Sequence, residues 1–248
     1  MKTSALAMLL LTACHRVFDL DEVRRLDASV DAIPDDGCFG QYGQDRAGLV
    51  RICLDAMPDK PLDLPANVDT TNCAITAMQS NGVEVCVLAG TTVTVPFSAR
   101  IHGARPLVVI AVRQLVIGVD GVIDVSGRRS MPTPAGANVA SCSAPSQNAM
   151  NINSGNGAGG GAGGALSATG GNGGTGSTSG TPRSGGVSLA SVAFDGVRGG
   201  CRGGRGGSTS YAMGGAGGSS GGALYLIAGE SIVVRGVINA SGEGGGPG

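Results

Sequence analysis

Leu107-Val108-Val109-Ile110-Ala111-Val112-Arg113-Gln114-Leu115-Val116-Ile117-Gly118-Val119-Asp120-Gly121-Val122-Ile123-Asp124-Val125-Ser126-Gly127 strings together three short, β-branched runs, at 107–112, 115–119 and 122–125. Glycine and polar pairs punctuate them, as they punctuate strands rather than helices. The same pattern returns near the C-terminus. Ile110-Ala111 and Leu115-Val116-Ile117 lie over Ile227-Ala228 and Ile232-Val233-Val234. Gly121-Val122-Ile123-Asp124-Val125-Ser126-Gly127 lies over Gly236-Val237-Ile238-Asn239-Ala240-Ser241-Gly242. A third copy precedes them, with Leu88-Ala89 and Val93-Thr94-Val95 in the matching places.

Ala89 and Ala111 are 22 residues apart, a length suited to one coil of a stacked β-repeat. The run 107–111 is continuously apolar, as a parallel strand covered on both faces should be. These features predict an all-β fold: a parallel β-helix, or solenoid-like domain, with a long glycine-rich insertion. An antiparallel β-sandwich with similar hairpins is the alternative. On the 88–95 alignment, Ala89 is expected to stack on Ala111.

Composition divides the rest of the chain. Residues 82–127 carry the repeated strands. Residues 128–222 are a low-complexity excursion of Gly, Ser, Ala, Thr and Asn, and residues 223–248 return to strand character. The excursion holds much of the chain's 46 glycines. With so few apolar groups it reads as a loosely ordered surface loop, or as a bundle of polyproline-like segments. Its glycines keep no strict period of three, which excludes collagen. The run 242–248 reads like the opening of another such excursion, so the returning rung 223–248 is expected to be incomplete, and whether the chain is a fragment ending at Gly248 is left open. Residues 38–81 form a small acidic segment. Pro58, Pro61 and Pro65 forbid long helices there, and 71–78 is expected to make one short helix.

The N-terminus reads as an address. Lys2, the apolar run 5–11 and Leu11-Thr12-Ala13-Cys14 form a short lipoprotein signal peptide with its lipobox, 1–14. Cys14 is then the lipidation site, and the acyl chains tie the protein to the membrane. Residues 15–37, rich in Asp, form an acidic tether. Six cysteines remain, Cys38, Cys53, Cys73, Cys86, Cys142 and Cys201, and an even set in an exported chain implies disulfides. Near-neighbour pairing, Cys38–Cys53, Cys73–Cys86 and Cys142–Cys201, is expected. Joining the last pair would hold together the ends of a long loop.

Other chemistry finds little footing. Aromatic residues are 3% of the chain and the formal net charge is −1, so no global field points to nucleic acid. No cysteine pair has metal-ligand spacing, and only His15 and His102 are present, so no metal and no cofactor are expected. His102 reads as a turn histidine, and no GxSxG elbow surrounds any serine. Arg198, Arg202 and Arg205 form a basic cluster suited to contact an anion, with acidic polysaccharide the favoured partner. A polysaccharide lyase or hydrolase on a β-helix scaffold is the alternative function. Its carboxylates would be drawn from Asp120, Asp124 and Glu230, although Asp124 aligns with Asn239 and so looks structural.

The lipobox at Cys14, the Asp-rich tether, Asp36-Gly37-Cys38-Phe39-Gly40 and Val85-Cys86-Val87-Leu88-Ala89-Gly90-Thr91-Thr92 belong together. So do Arg105-Pro106-Leu107-Val108, the 121–127 repeat, Arg198-Gly199-Gly200-Cys201 and 221–229. With these features the chain resembles the glycine-rich predicted surface lipoproteins common in myxobacteria. The resemblance implies a location in the cell envelope, at the outer membrane or cell surface, and carries over no catalytic residue. The expected role is structural, adhesive or polysaccharide-binding.

Overall fold

The computed structural model describes residues 37–40, 51–79, 81–137, 142, 148–151, 158–166, 169–176, 185–187 and 196–246. Cys14, the signal peptide and the acidic tether as far as residue 36 lie outside them. The described residues form an all-β structure of parallel and mixed sheets.

A small antiparallel pair joins β1 (Cys38–Phe39) to β2 (Ile52–Cys53). Then come β3 (Leu62–Asp63), β4 (Asn67–Asp69), β5 (Ile75–Met78), β6 (Glu84–Gly90), β7 (Val93–Val95), β8 (Ser98–His102), β9 (Leu107–Ala111), β10 (Gln114–Ile117) and β11 (Val122–Asp124). After the glycine-rich tract follow β12 (Leu224–Ala228), β13 (Ser231–Val234) and β14 (Val237–Asn239). These make three four-stranded sheets, ordered β12-β9-β6-β5, β13-β10-β7-β3 and β14-β11-β8-β4. Each pass of the chain therefore places one strand in each sheet, and the next pass lays its strands alongside. All pairings within the three sheets are parallel except β5 with β6.

The register follows the repeat, with one departure. Ile110 and Ala111 pair with Ile227 and Ala228, Leu115 with Ile232, and Asp124 with Asn239. Val93 also pairs with Leu115. Ala89, however, pairs with Ile110, and Gly90 takes Ala111. From Gly90 to Val93 the chain is one residue shorter than from Ala111 to Leu115, so the slip is absorbed in the turn. A Cβ on Gly90 would stand 2.8 Å from the Leu62 Cβ, so the close approach of β3 requires glycine there.

Two further expectations are corrected. Residues 75–78 form strand β5, not part of a helix; the Cys73–Cys86 disulfide sits beside β5 and β6 and ties this segment to the sheet. His102 ends strand β8 rather than lying in a turn, because residues 100–102 pair with β4.

Burial explains the residue choice. All five residues of β9 are buried. Leu107, Val109 and Ala111 face a core with Val93, Ile101, Leu115, Ile117 and Ile123. Val108 and Ile110 face a second core, where Phe39, Ile52 and Val197 cover the outside of the sheet. Strands β7 and β10 are covered on one side only, and there hydrophobic burial alternates. Gln79, which is buried, fastens the outer cover: its Nε2 donates to the Val197 carbonyl at 3.1 Å and its Oε1 accepts the Val197 N–H at 2.7 Å.

The described part of the glycine tract is hydrogen-bonded rather than loose. The N–H groups of Cys201, Gly204 and Gly207 donate to the carbonyls of Ala165, Ala162 and Gly159. Gly203 and Gly206 donate to Gly218 and Gly215, Gly163 and Gly160 to Gly171 and Gly174, and Glu243 and Gly246 to Ser219 and Ala216. Each ladder steps every third residue, the period of polyproline II, a conformation that makes no hydrogen bonds within its own segment. Close approach explains the glycines: a Cβ on Gly214 would stand 1.9 Å from the Gly206 oxygen. Gly214→Ala is expected to cost about 1–3 kcal/mol through overpacking. Hydrogen–deuterium exchange should show the Gly206 amide, bonded to Gly215 at 2.9 Å, exchanging faster while β9 amides hold. An unchanged rate at Gly206 would refute the close-packed ladder.

Candidate functional site

Three disulfides join Cys38 to Cys53, Cys73 to Cys86 and Cys142 to Cys201. They are the near-neighbour pairs of the sequence reading. The last spans 59 residues and fixes a segment of the glycine tract.

Asp124 organises the end of β11. Its Oδ1 accepts the Ser126 N–H at 2.9 Å and the Ser126 hydroxyl at 2.6 Å. One pass later Asn239 accepts the N–H and hydroxyl of Ser241 in the same way, at 3.2 and 2.8 Å. Asp124 differs in carrying charge. Arg100 lies 3.0 Å from it, and the Arg128 guanidinium donates to its other oxygen. Burial alone would raise the Asp124 pKa. The hydroxyl and N–H of Ser126, with the Arg100 guanidinium, outweigh that effect and hold the carboxyl below the ordinary carboxylate range. Asp120 is exposed in the turn between β10 and β11, and Glu230 pairs with Arg113 at 3.6 Å. The structure does not gather these three carboxylates around any of the cavities described below.

From Asp124 the chain leads into a basic cleft of about 340 Å³, lined by Arg128, Arg129, Thr133, Arg202, Ser219 and Glu243 among others. Ser130, with φ 62°, turns the chain in the left-handed region beside it. The Arg129 Nε donates to Glu243 at 3.3 Å, and an Arg202 amino group donates to the Gly217 carbonyl at 3.3 Å. The side chains of Arg128 and Arg129 are about half exposed, 55% and 51%. Each guanidinium has more N–H donors than these contacts use. Arg128 already meets Asp124 and Arg129 meets Glu243, so the positive excess in the cleft is carried by Arg202, and it favours an anion.

Of the three arginines proposed from sequence, Arg202 lines this cleft. Arg198 is buried, 5% exposed, and lines a larger cavity of about 710 Å³ walled by glycine backbone. The Arg205 Nε donates to the Gly214 carbonyl at 3.0 Å. The sequence cluster is therefore split among different surroundings. Arg128 and Arg129 were not singled out as contacts. The signal lay one residue beyond the repeated 121–127 and 236–242 segments, where Arg128 stands in the position of Glu243.

A third cavity, about 470 Å³, is lined by His102, Asp69 and Thr71 among others. The His102 Nδ1 lies 3.9 Å from Asp69. The hydroxyl contact to His102 is from Thr70 to its carbonyl, at 3.0 Å, not to its ring. Hydrogen bonding, first from the Thr71 N–H, lowers the Asp69 pKa. Among the described residues no group of three or more His, Cys, Asp and Glu side chains could hold a metal ion, and no helix is long and apolar enough to cross a membrane. No protein-family model, curated protein or solved structure matches the chain.

Proposed function

We propose that this chain is a cell-envelope lipoprotein, anchored through Cys14, that binds anionic polysaccharide in the Arg128–Arg129–Arg202 cleft. The cleft is the observation that carries the reading: guanidiniums are suited to carboxylate groups along an acidic sugar chain. The scaffold is a three-faced parallel β-solenoid, with the glycine ladders as a second layer beside it. The registers shared by successive passes support that architecture. The three disulfides support a location where thiols are oxidised.

Polygalacturonate and uncharged dextran test the reading, using the full chain with Cys14→Ser. Calorimetry should show polygalacturonate binding that weakens with added salt, and no dextran binding. Arg129→Ala/Arg202→Ala is expected to weaken the affinity about tenfold or more, by removing two charge-assisted contacts. Failure to bind at low salt, or undiminished binding by the variant, would reject the cleft as the site.

A further inference from the structure

The arginine cleft and the cavity of about 470 Å³ at His102 share a wall. Thr133 lines both, with Pro134 on the cleft side and Pro132 on the other. The two prolines restrict the backbone on either side of it. The wall is also fastened to β8: the Gly103 N–H donates to the Thr133 carbonyl at 2.9 Å, and Pro134 is bridged to His102. Behind it, β4 and β8 hold Asp69 and His102 in register. The Thr70 N–H and hydroxyl both donate to the His102 carbonyl, at 2.7 and 3.0 Å. The two hollows are therefore neighbours, separated by one pass of backbone.

Their charges differ. In the cleft the positive excess is that of Arg202, which suits one carboxylate. The cavity lining holds Asp69 and His102 and, among the described residues, no guanidinium or ammonium group. Hydrogen bonding, first from the Thr71 N–H, holds the Asp69 carboxyl below its ordinary range, so it is ionised at neutral pH. A second carboxylate brought beside it is repelled. A hydroxyl is welcome there. The Asp69 side chain is 41% exposed, and its bonds to Thr71 and Asn72 leave room among the roughly four lone-pair sites of a carboxylate. The His102 Nδ1 is 3.9 Å from Asp69, beyond hydrogen-bond reach, so the imidazole keeps donor and acceptor capacity for a ligand.

We infer that the His102–Asp69 cavity is a second subsite, which takes an uncharged sugar next to the acidic sugar held in the arginine cleft. The ligand is then a polysaccharide in which charged and uncharged sugars alternate. This rests on the reading of the cleft given above and narrows its ligand class.

The test is calorimetry at low salt on the full chain carrying Cys14→Ser, with two linear probes of equal length. A hyaluronan tetrasaccharide alternates glucuronate with N-acetylglucosamine, whereas tetragalacturonate is charged on every sugar. Attraction to Arg202 alone would favour the more highly charged probe. The expected order is the reverse, with the hyaluronan tetrasaccharide about tenfold tighter, because tetragalacturonate brings a carboxylate against Asp69. Asp69→Asn removes that repulsion, keeps an oxygen for the Thr71 N–H, and should tighten tetragalacturonate binding about tenfold. His102→Ala should weaken the hyaluronan tetrasaccharide several-fold through a lost hydrogen bond and leave tetragalacturonate unchanged. Arg129→Ala/Arg202→Ala should weaken both probes. If neither probe binds, or that arginine variant weakens neither, the cleft is rejected and this subsite with it. If tetragalacturonate binds at least as tightly as the hyaluronan tetrasaccharide, or Asp69→Asn and His102→Ala leave both affinities unchanged, the second subsite is overturned while the cleft stands.

Discussion

Asp124→Ala should destabilise the fold by about 3 kcal/mol, the lower end of what is seen when one partner of a buried ion pair is removed. Asp124 is 4% exposed and Arg100 lies against it at 3.0 Å. Two Arg100 nitrogens, Nε and Nη2, are already buried without a hydrogen bond, so losing the carboxylate leaves a poorly solvated charge. Arg128 is half exposed and can turn to water, which keeps the cost from the upper end. Asp124→Asn separates the two roles, since Asn239 shows that an amide oxygen suffices for the serine contacts. It should keep the turn and lose the ion pairing. The pH dependence follows from the lowered pKa. The stabilisation is complete above the unfolded-state value, near 3.8, and is lost as pH falls through the lower folded value. Urea unfolding should therefore show the gap between wild type and Asp124→Ala closing below about pH 4. A gap that stays constant into stronger acid would mean the carboxylate charge contributes nothing.

Cys142→Ser/Cys201→Ser should have the largest effect, about 4 kcal/mol in the chain-entropy model for a loop of this length. The loss should be local. Cys201 donates its N–H to Ala165 at 2.8 Å, and the Gly204 and Gly207 bonds continue the same ladder. Hydrogen exchange should accelerate at these amides while those of β9 and β10 stay protected. Where the tract melts separately from the sheets, calorimetry should show its transition shifted downward by several degrees or more. Unchanged protection at Gly204 and Gly207 would mean the ladder stands without the bridge.

The sheets were legible because their strands repeat. The 107–127 run and its C-terminal copy carry register as well as strand character, and Asp124 over Asn239 could be read directly. The Ala89 slip was not legible, because it depends on a one-residue difference in turn length that similar apolar residues conceal. Strand β5 was hidden too: 75–78 has weak preference of its own and is held by its partner strand and the neighbouring disulfide. The glycine tract gave composition without partners. Its ladder joins segments such as 159–165 and 201–207, and nothing local reveals which glycines meet. The basic cleft was half legible for the same reason. Arg202 was visible in a cluster, but its neighbours Arg128 and Arg129 come from far along the chain.

The glycine ladders also constrain how the gene can change. At Gly161, Gly164, Gly214 and Gly217 an added Cβ would fall 2.1, 2.1, 1.9 and 2.0 Å from a carbonyl oxygen. Every single-base substitution in the first two places of a glycine codon installs a side chain or a stop. Among the described residues, change is easier at Gly171 and Gly174, where an added Cβ meets nothing within 4 Å, and at the exposed Thr169 and Thr175. What looks like unconstrained repetition therefore holds, among the described residues, fixed glycine positions at which a missense change would be harmful.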